Sequence, residues 1–398
     1  MGTAYTWSFA NSFLVFLLIV FAAQSLATLL RNYVPMPLFY GLFFAIGFAV
    51  GWLPPDMLLA ANMVTVGTIA FNVLVIHSGT MINLPMIVAK WRESLTAILS
   101  ALIMTAVCLL VLPPLIGRKL ALLAPGAVIG GGASCAIGSR WVMDAHPEIS
   151  FFPWMIFMFQ GIFSVPVVSW ALKKERDVLL KQMEGAPAPA AGSAGRPPVN
   201  PFAPFGPCAK IPKAYKTTAY YLGLIMVATV LNYALQGTLL KNAGINPNIT
   251  ALLIGLILGN LGLMDRAPLF QSDSYGLLIL SLMGLMANNL AHTPWQLLVS
   301  FVVPVLVSLA VGGVVLFLCA LLFAKVFHMS PYRAIILTMN SIMGFPVNQE
   351  LMAQTIRSVP EQYRGAVAGQ LTPVLNLGTS LISNGLSIFI VSILVALV

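Results

Sequence analysis

The sequence predicts an all-α membrane protein, a polytopic helical bundle of two inverted repeats with about ten spanning helices and two re-entrant hairpins. The first observation is composition: of 398 residues, 59% are hydrophobic and 8% are charged, with a mean hydropathy of +0.93. A soluble domain does not bury so much apolar surface. The second is a recurrence of apolar runs of about 20 residues, the length with which a helix crosses a bilayer. The third is an interrupted fifth run in each half of the chain.

A polar stretch at residues 173–216 divides these runs into two sets of six. The runs of the first half, residues 1–172, lie at 8–30, 37–54, 58–79, 94–116, 121–142 and 151–172. The runs of the second half, residues 217–398, lie at 217–236, 248–264, 274–290, 296–324, 332–356 and 364–397. The N-terminus has no Lys or Arg before its first run, so we interpret it as the start of a membrane helix rather than as a cleaved signal peptide.

The dividing stretch carries eight of the twenty basic residues. It starts as a charged helical extension and continues as a Pro/Ala/Gly linker without a core-forming pattern. Membrane proteins keep an excess of Lys and Arg on the cytoplasmic side. The net charge of +9 therefore indicates a cytoplasmic linker and no nucleic-acid partner. The four cysteines are scattered and show neither metal-ligand spacing nor a disulfide framework.

The two halves share a weak internal repeat. The third run of the first half ends in GTMIN at residues 79–83, and that of the second half ends in GLMAN at residues 284–288. Both read G-x-M-x-N. An interrupted fifth run follows each of them, with GGGASCAIGSRW at 130–141 and NSIMGFPVNQE at 340–350. The matched order predicts two structural repeats.

The distribution of Lys and Arg favours fifth runs that enter the membrane and return on the same side. With the linker inside, this arrangement puts sixteen basic residues inside and four outside, whereas fully crossing runs give thirteen and seven. Each half then crosses five times, so the repeats have opposite orientations and both termini lie outside. We expect one re-entrant hairpin near 121–142 and the other near 332–356.

The interrupted runs also predict the binding site. Non-helical backbone at membrane depth is tolerated only inside the protein or beside a wet cavity, so we expect the two hairpin tips to meet near the midplane. Helix N-termini there suit an anion, and carbonyls with neutral polar side chains suit Na⁺. The candidate ligands of substrate and ion are Gly130, Gly131, Gly132, Ser134, Cys135, Ser139, Arg140, Asn340, Ser341, Gly344, Asn348, Gln349 and Glu350. Candidates for a surrounding shell are Thr80, Asn83 and Asn288, and the individual Na⁺ ligands stay open.

Several of these residues have a structural alternative. The three glycines serve close helix packing equally well. Arg140 either clamps a carboxylate or extends to the outer headgroups beside Asp144, and the second interpretation is slightly favoured. Glu350 either helps to bind a cation or a proton, or lies at the cytoplasmic mouth and is neutralised by Arg357.

Residues at the ends of the third runs are also ambiguous. Asn83 and Asn288 either flank the hairpins or cap their helices. His77 lies one helical turn before Met81, and we interpret it as a buried neutral histidine rather than as a proton site.

Three stretches resemble the bacterial sodium/glutamate symporters and the related sodium-coupled carboxylate transporters. YRAIILTMNSIMGFPVNQELMAQTI, with Gly344 and Gln354 at matching spacing, is similar to the glycine-rich loop of that family's second half. LILSLMGLMANNLAHTPWQL resembles the segment before its fourth helix. GGGASCAIGSRW, with Trp141 in register, is similar to its first loop, although Ala, Ser and Cys stand where the family has His and Thr.

The resemblance implies a secondary active transporter that takes up glutamate or a similar small anionic solute with Na⁺ by alternating access. It also implies a multi-pass protein of the bacterial inner membrane, a homodimer, and no cofactor besides the coupling ion. Two alternatives stay open, a proton-coupled or exchange carrier of another carboxylate or metabolite, and a channel or membrane anchor subunit. The sequence has no HExxH, GxSxG or P-loop motif, so we expect no enzyme.

Overall fold

The protein folds as a bundle of helices. The computed structural model describes residues 7–30, 32–183, 207–241, 243–343 and 347–398, and within these ranges it has no β-strand. Seven of the described helices are long and apolar enough to cross a membrane, and three shorter apolar helices have 14, 14 and 17 residues. The prediction of an all-α membrane protein is therefore confirmed at this level.

The helices described before the central linker are α1 (Phe9–Leu29), α2 (Met36–Ala49), α3 (Met57–Ala60), α4 (Met63–Met81), α5 (Leu84–Ala89), α6 (Trp91–Val111), α7 (Pro113–Ile116), α8 (Arg118–Val128), α9 (Gly132–Met143) and α10 (Phe152–Met183). Those described after it are α11 (Pro207–Lys210), α12 (Thr218–Gly237), α13 (Pro247–Asn260), α14 (Pro268–Gln271), α15 (Tyr275–Ala291), α16 (Trp295–Val326), α17 (Pro331–Met343), α18 (Val347–Arg357), α19 (Glu361–Gly378) and α20 (Ser387–Leu394). A π-helix, Thr379–Leu386, joins α19 to α20, and short 3₁₀ turns occupy Pro147–Ile149, Lys213–Tyr215 and Val395–Leu397.

The order of elements repeats between the two halves. The helices α1 to α4 have 21, 14, 4 and 19 residues, and α12 to α15 have 20, 14, 4 and 17. Equivalent helices start in equivalent ways: the hydroxyls of Ser8 and Thr217 cap α1 and α12, while α2 and α13 carry proline in their first turn. In each half a long helix is then followed by a pair of shorter ones, α8 with α9 and α17 with α18.

The helices separate into two groups by their packing. In the first group, which we call the α4 group (α1–α4 and α12–α15), α4 packs against both α13 and α15. In the second, the α10 group (α5–α10, α16–α20 and the π-helix), α10 packs against both α16 and α17. The two groups meet where α9, α20 and the π-helix contact α4, α13 and α15. Each half of the chain therefore contributes to both groups.

Glycines bring the backbones of α4 and α13 into direct contact. A Cβ on Gly255 would lie 2.1 Å from the carbonyl oxygen of Ile76, and a Cβ on Gly79 would lie 2.2 Å from that of Leu252. No side chain fits at either position. Small residues at helix crossings allow such close approach in membranes, so these two helices form one tightly packed unit.

We expect Gly255→Ala to lower the melting temperature of the protein in detergent, because the added methyl group overpacks this crossing at a cost of about 1–3 kcal/mol. Thermal unfolding of the purified chain measures the effect. Gly223→Ala in α12 is the control, since a Cβ there would meet no atom within 4 Å. Equal melting temperatures of the two variants would contradict the close packing.

Candidate functional site

The first interrupted segment forms two helices with a sharp break between them. Helix α8 ends at Val128 and α9 begins at Gly132. A Cβ on Gly130 would lie 2.5 Å from the carbonyl oxygen of Gly126, so only glycine fits at this turn. The residue before α9, Gly131, has no side chain with which to cap the helix. The first N–H groups of α9 are therefore not satisfied by a side-chain cap and lie at the positive end of the helix dipole.

A small cavity lies beside this break, which we call the central cavity. Its volume is about 60 Å³, the room of about two water molecules in the liquid. The start of α9, residues 131–133, forms one part of its wall. Helices α4 and α15 of the α4 group and α10 with the π-helix of the α10 group form the rest. The central cavity therefore lies at the contact between the two helix groups.

Two buried polar atoms belong to residues of the cavity wall and lack a hydrogen-bond partner within the described ranges. One is Oγ of Ser383 in the π-helix, which lies 3.6 Å from the position that a Cβ on Gly131 would take. The other is Nε2 of His77 in α4. Buried polar atoms normally find a partner, and an orphaned one in a cavity wall indicates a ligand or water.

The ring of His77 is held in one orientation. Its Nδ1 accepts a hydrogen bond of 3.4 Å from the backbone N–H of Leu269, and the rings of Phe270 and Tyr275 lie 5.2 and 5.4 Å away, centroid to centroid. Because Nδ1 is an acceptor, the neutral ring carries its proton on Nε2. His77 thus has a donor without a protein partner among the described residues.

A second polar cluster lies near the end of α17. The side-chain amides of Asn340 and Asn348 both donate to the hydroxyl oxygen of Thr379, each at 2.8 Å. Asn340 also donates to the carbonyl oxygen of Leu375 at 2.9 Å, and its own Oδ1 is buried without a partner in the described part of the chain. This oxygen lies near the C-terminal, electronegative end of α17. It is a candidate ligand for a cation.

The π-helix connects the cluster of Asn340 and Asn348 to the central cavity. Thr379, at its start, belongs to the cluster of Asn340 and Asn348, and Ser383 belongs to the wall of the central cavity. A π-helix is rare and costs stability in an ordinary helix, and such segments recur at functional sites.

The structure places several predicted ligands away from the central cavity. Ser134 exchanges a hydrogen bond of 2.7 Å with Ser387, and Ser139 accepts one of 2.6 Å from Asn289. Arg140 is exposed and has no ion pair among the described residues. Cys135 is buried against the carbonyl oxygen of Ala127, with 3.9 Å between the sulfur and the oxygen.

Two residues of the second interrupted segment are engaged elsewhere. The hydroxyl of Ser341 donates to the carbonyl oxygen of Thr338 in its own helix at 2.6 Å. Glu350 accepts a hydrogen bond from the side chain of Asn32, which lies between α1 and α2, and no ion pair with Arg357 appears in the described ranges. Gly344 lies outside the described residues, and so does the side chain of Gln349.

The three residues predicted to surround the binding site lie in three different environments. Thr80 donates to the carbonyl oxygen of His77 at 2.6 Å and accepts from the N–H of Ala267 at 3.2 Å, so it braces α4. Asn83 caps α5. Asn288 lines a wider cavity of about 520 Å³ at the C-terminal ends of α9 and α15, where its Oδ1 is buried without a partner in the described part of the chain.

The sequence reasoning missed Ser383 and Thr379. Its interpretation of His77 as a buried, hydrogen-bonded histidine is confirmed. The last run was treated as a plain helix, although TSLISNGLS places polar residues in quick succession between apolar neighbours. Polar groups at membrane depth are expensive and usually face a functional interior. That run of polar residues was the available signal for the π-helix segment.

Comparison with family models and with curated proteins finds no match to this chain. No group of three or more His, Cys, Asp or Glu side chains is arranged to hold a metal ion in the described ranges. The polar atoms near the two helix breaks are instead hydroxyls, amides and an imidazole. Neutral oxygen ligands of this kind suit a monovalent cation, and neutral donors suit an anion or a polar solute.

We expect Thr379→Val to destabilise the protein by about 2–4 kcal/mol, because the hydroxyl oxygen accepts two buried amide hydrogen bonds that the variant leaves unmade. Unfolding of the purified protein in detergent measures this. Thr338→Val is the matched control: that threonine is equally buried, but its hydroxyl bonds only to carbonyls of its own helix. A cost no larger than that of the control would contradict the cluster at Thr379.

Proposed function

We propose that the protein is a secondary active transporter that couples uptake of a small anionic solute to Na⁺ by alternating access. The observation that carries the proposal is the central cavity, which lies at the contact between the two helix groups and has orphaned polar atoms in its wall. Transporters of inverted-repeat design bind their solute where discontinuous helices meet, and movement of one bundle against the other exposes it alternately. The α4 group and the α10 group are the two bundles of this proposal.

The ends of each interrupted segment support re-entrant hairpins. Near the start of α8, the amine of Lys119 lies 3.0 Å from Nδ1 of His146, which follows α9. At the other interrupted segment, Ser330 before α17 donates to Glu175, and Ser358 after α18 accepts from the neighbouring Arg176 at 2.6 Å. The start and the end of each segment are thus close together, which supports a hairpin over a crossing helix.

Contacts between loops support the predicted sides of the membrane on which these loops lie. The rings of Trp91 and Phe327, which lie beside the predicted inner residues Arg92 and Lys325, are 5.9 Å apart, centroid to centroid. Lys216, at the end of the linker, forms an ion pair of 2.7 Å with Asp265, and this hydrogen-bonded partner raises the pKa of the amine. These contacts favour one common side for the linker and these loops. The distribution of Lys and Arg makes that side the cytoplasm and puts both termini outside, and the repeated order of helices supports two inverted halves.

Ion coupling is assigned to the cluster at Asn340. Its Oδ1 is buried near the negative end of α17, and occupation by Na⁺ would give this oxygen the partner it lacks among the described residues. The π-helix then links the ion to the solute, because one element carries Thr379 at the ion cluster and Ser383 at the central cavity.

The resemblance to the sodium/glutamate symporters supports the class of transporter and names glutamate as the first solute to test. It is also the support for a homodimer and for the bacterial inner membrane. A second candidate, proton coupling, is favoured by one observation, the presence of His77 in the cavity wall. A proton gradient in place of the Na⁺ gradient distinguishes the two.

Cysteine labelling tests the topology. We expect a membrane-impermeant maleimide to label Arg118→Cys and Asp144→Cys from the outside, and His328→Cys and Glu361→Cys only after permeabilisation. All four positions are exposed, and the native cysteines are buried. Labelling of the two members of a pair from opposite sides would contradict that hairpin.

Transport in liposomes tests the function. With an inward Na⁺ gradient, the purified protein is expected to accumulate labelled glutamate or another small carboxylate. Asn340→Ala is expected to raise the half-saturating Na⁺ concentration about tenfold, the equivalent of about 1.4 kcal/mol of lost ligation. Asn232→Ala is the control, because that buried amide is hydrogen-bonded to Thr250 and Pro247 and lies on α12.

Accumulation that is indifferent to the Na⁺ gradient would contradict the coupling. Equal Na⁺ dependence in the Asn340→Ala variant and the wild type would contradict the assignment of the ion cluster.

A further inference from the structure

A second cavity, which we call the inner cavity, lies at the end of the bundle that is predicted to be cytoplasmic. Its volume is about 360 Å³, which is within the range of small-molecule sites. Its described wall consists of the start of α6, the last part of α10, the loop between α16 and α17, and residues of α17 and α19. All of these elements belong to the α10 group. The inner cavity is therefore separate from the central cavity, which lies between the two groups.

The described wall of the inner cavity carries charges of both signs. Glu175 is almost fully buried, and it accepts hydrogen bonds from Arg333 at 3.2 Å and from Ser330. This acid and this base therefore neutralise each other. Arg92 and Glu93 also line the cavity, but neither forms an ion pair in the described ranges. The described wall thus offers a positive and a negative group to a ligand.

Helix stability does not account for Arg92. It lies in the first turn of α6, where the positive end of the helix dipole disfavours a cation. Its guanidinium lies over the ring of Trp91, 5.4 Å from the centroid, and Trp91 in turn packs edge-on against Phe327 of the cavity wall. These contacts hold the guanidinium at the rim of the inner cavity. A guanidinium can bind a phosphate through two parallel hydrogen bonds.

A further cation lies beside this rim. Lys90 directly precedes α6, and partial burial lowers the pKa of its amine. The negative charge of Glu93 raises this pKa, and the positive charge of Arg333 lowers it. Lys90 therefore lies in the electric field of both cavity residues. An anion bound beside Arg92 would reduce the repulsion among these cations.

Lipid-facing surface leads to the inner cavity. On α16, the side chains of Leu318, Leu322 and Val326 are each more than half exposed and recur every four residues, so they form one apolar stripe. The stripe ends directly before Phe327 of the cavity wall. Trp91 is also half exposed, and tryptophan is enriched at the level of the lipid headgroups. A phospholipid with its chains on this stripe therefore has its headgroup at the inner cavity.

We propose that the inner cavity binds the headgroup of a phosphatidylethanolamine of the inner leaflet, with its phosphate on Arg92 and its ammonium on Glu93. Basic pockets between membrane helices on the cytoplasmic side are suited to lipid headgroups. Arg92 and Glu93 are neighbours in the first turn of one helix and line the same cavity, so one headgroup with two charges joined by a short ethyl linker reaches both.

Other common phospholipids match this wall less well. Phosphatidylglycerol has no ammonium for Glu93, and phosphatidylcholine has methyl groups where phosphatidylethanolamine has N–H donors. Both keep the phosphate that pairs with Arg92. Because the described wall belongs to one helix group, the inference does not depend on the proposed transport function.

Three lipids with the same acyl chains test the headgroup. The probes are dioleoyl phosphatidylethanolamine, dioleoyl phosphatidylcholine and dioleoyl phosphatidylglycerol. Each is titrated into the purified full chain in detergent, and native mass spectrometry measures the bound lipid. We expect phosphatidylethanolamine to bind about fivefold more tightly than the other two, which is the upper end of what one partly exposed ion pair supplies.

Two variants separate the two contacts. Arg92→Gln is expected to weaken binding of all three lipids about fivefold, because they share the phosphate. Glu93→Gln is expected to weaken only phosphatidylethanolamine, to the level of phosphatidylcholine. Arg357→Gln and Glu361→Gln are the matched controls, since both side chains are exposed at the predicted inner end but do not line the inner cavity. Glu361, like Glu93, lies in the first turn of its helix.

The free headgroup distinguishes a lipid from a soluble ligand. We expect phosphatidylethanolamine to raise the melting temperature of the protein and O-phosphoethanolamine at the same concentration to leave it unchanged, because the free headgroup has no chains for the apolar stripe. Equal stabilisation by O-phosphoethanolamine or by inorganic phosphate would overturn a lipid as the occupant. Equal or tighter binding of phosphatidylglycerol, or an unchanged lipid preference in both Arg92→Gln and Glu93→Gln, would overturn the assignment of the headgroup.

Discussion

The interrupted helices depend on one constraint, that a backbone N–H or C=O exposed to hydrocarbon without a hydrogen bond costs several kcal/mol. Helix α8 stops at Val128 and α9 starts at Gly132, so the backbone between them must face protein or water. Described residues of α4, α10, α15 and the π-helix surround this break, and the small central cavity lies beside it. Because the start of α9 has no side-chain cap, its first N–H groups stay available for a ligand or water in this cavity.

Under the proposed transport function, the close crossing of α4 and α13 favours movement between the helix groups rather than within them. Backbone contact at Gly79 and Gly255 locks these helices together, and helices of both halves build each group. Where the groups meet, the contact includes the cavity and the π-helix, whose irregular backbone is less stable than an α-helix.

The fold class could be predicted because hydrophobic runs, glycine breaks and the placement of Lys and Arg are local signals. The break at Gly130 and Gly131 was found for this reason, and so was the polar character of Asn340 and Asn348. The hydrogen-bond partners of these side chains could not be predicted. That Asn340 and Asn348 share the hydroxyl of Thr379 depends on how α17, α18 and the π-helix pack, which periodicity does not encode. The same holds for His77, whose neighbours Leu269 and Phe270 come from the other half of the chain.

Charged side chains and neutral polar groups occupy different places in this protein, and the proposed transport function gives a physical reason for the separation. Ion pairs such as Arg333 with Glu175 and Lys216 with Asp265 join helices and loops at the end of the bundle that is predicted to lie inside. The described wall of the central cavity is neutral. A symporter must return empty, and a charged side chain in an unoccupied interior site would bear its full desolvation cost at that step. Hydroxyl, imidazole and backbone donors bear a much smaller desolvation cost, which favours a site built of neutral groups.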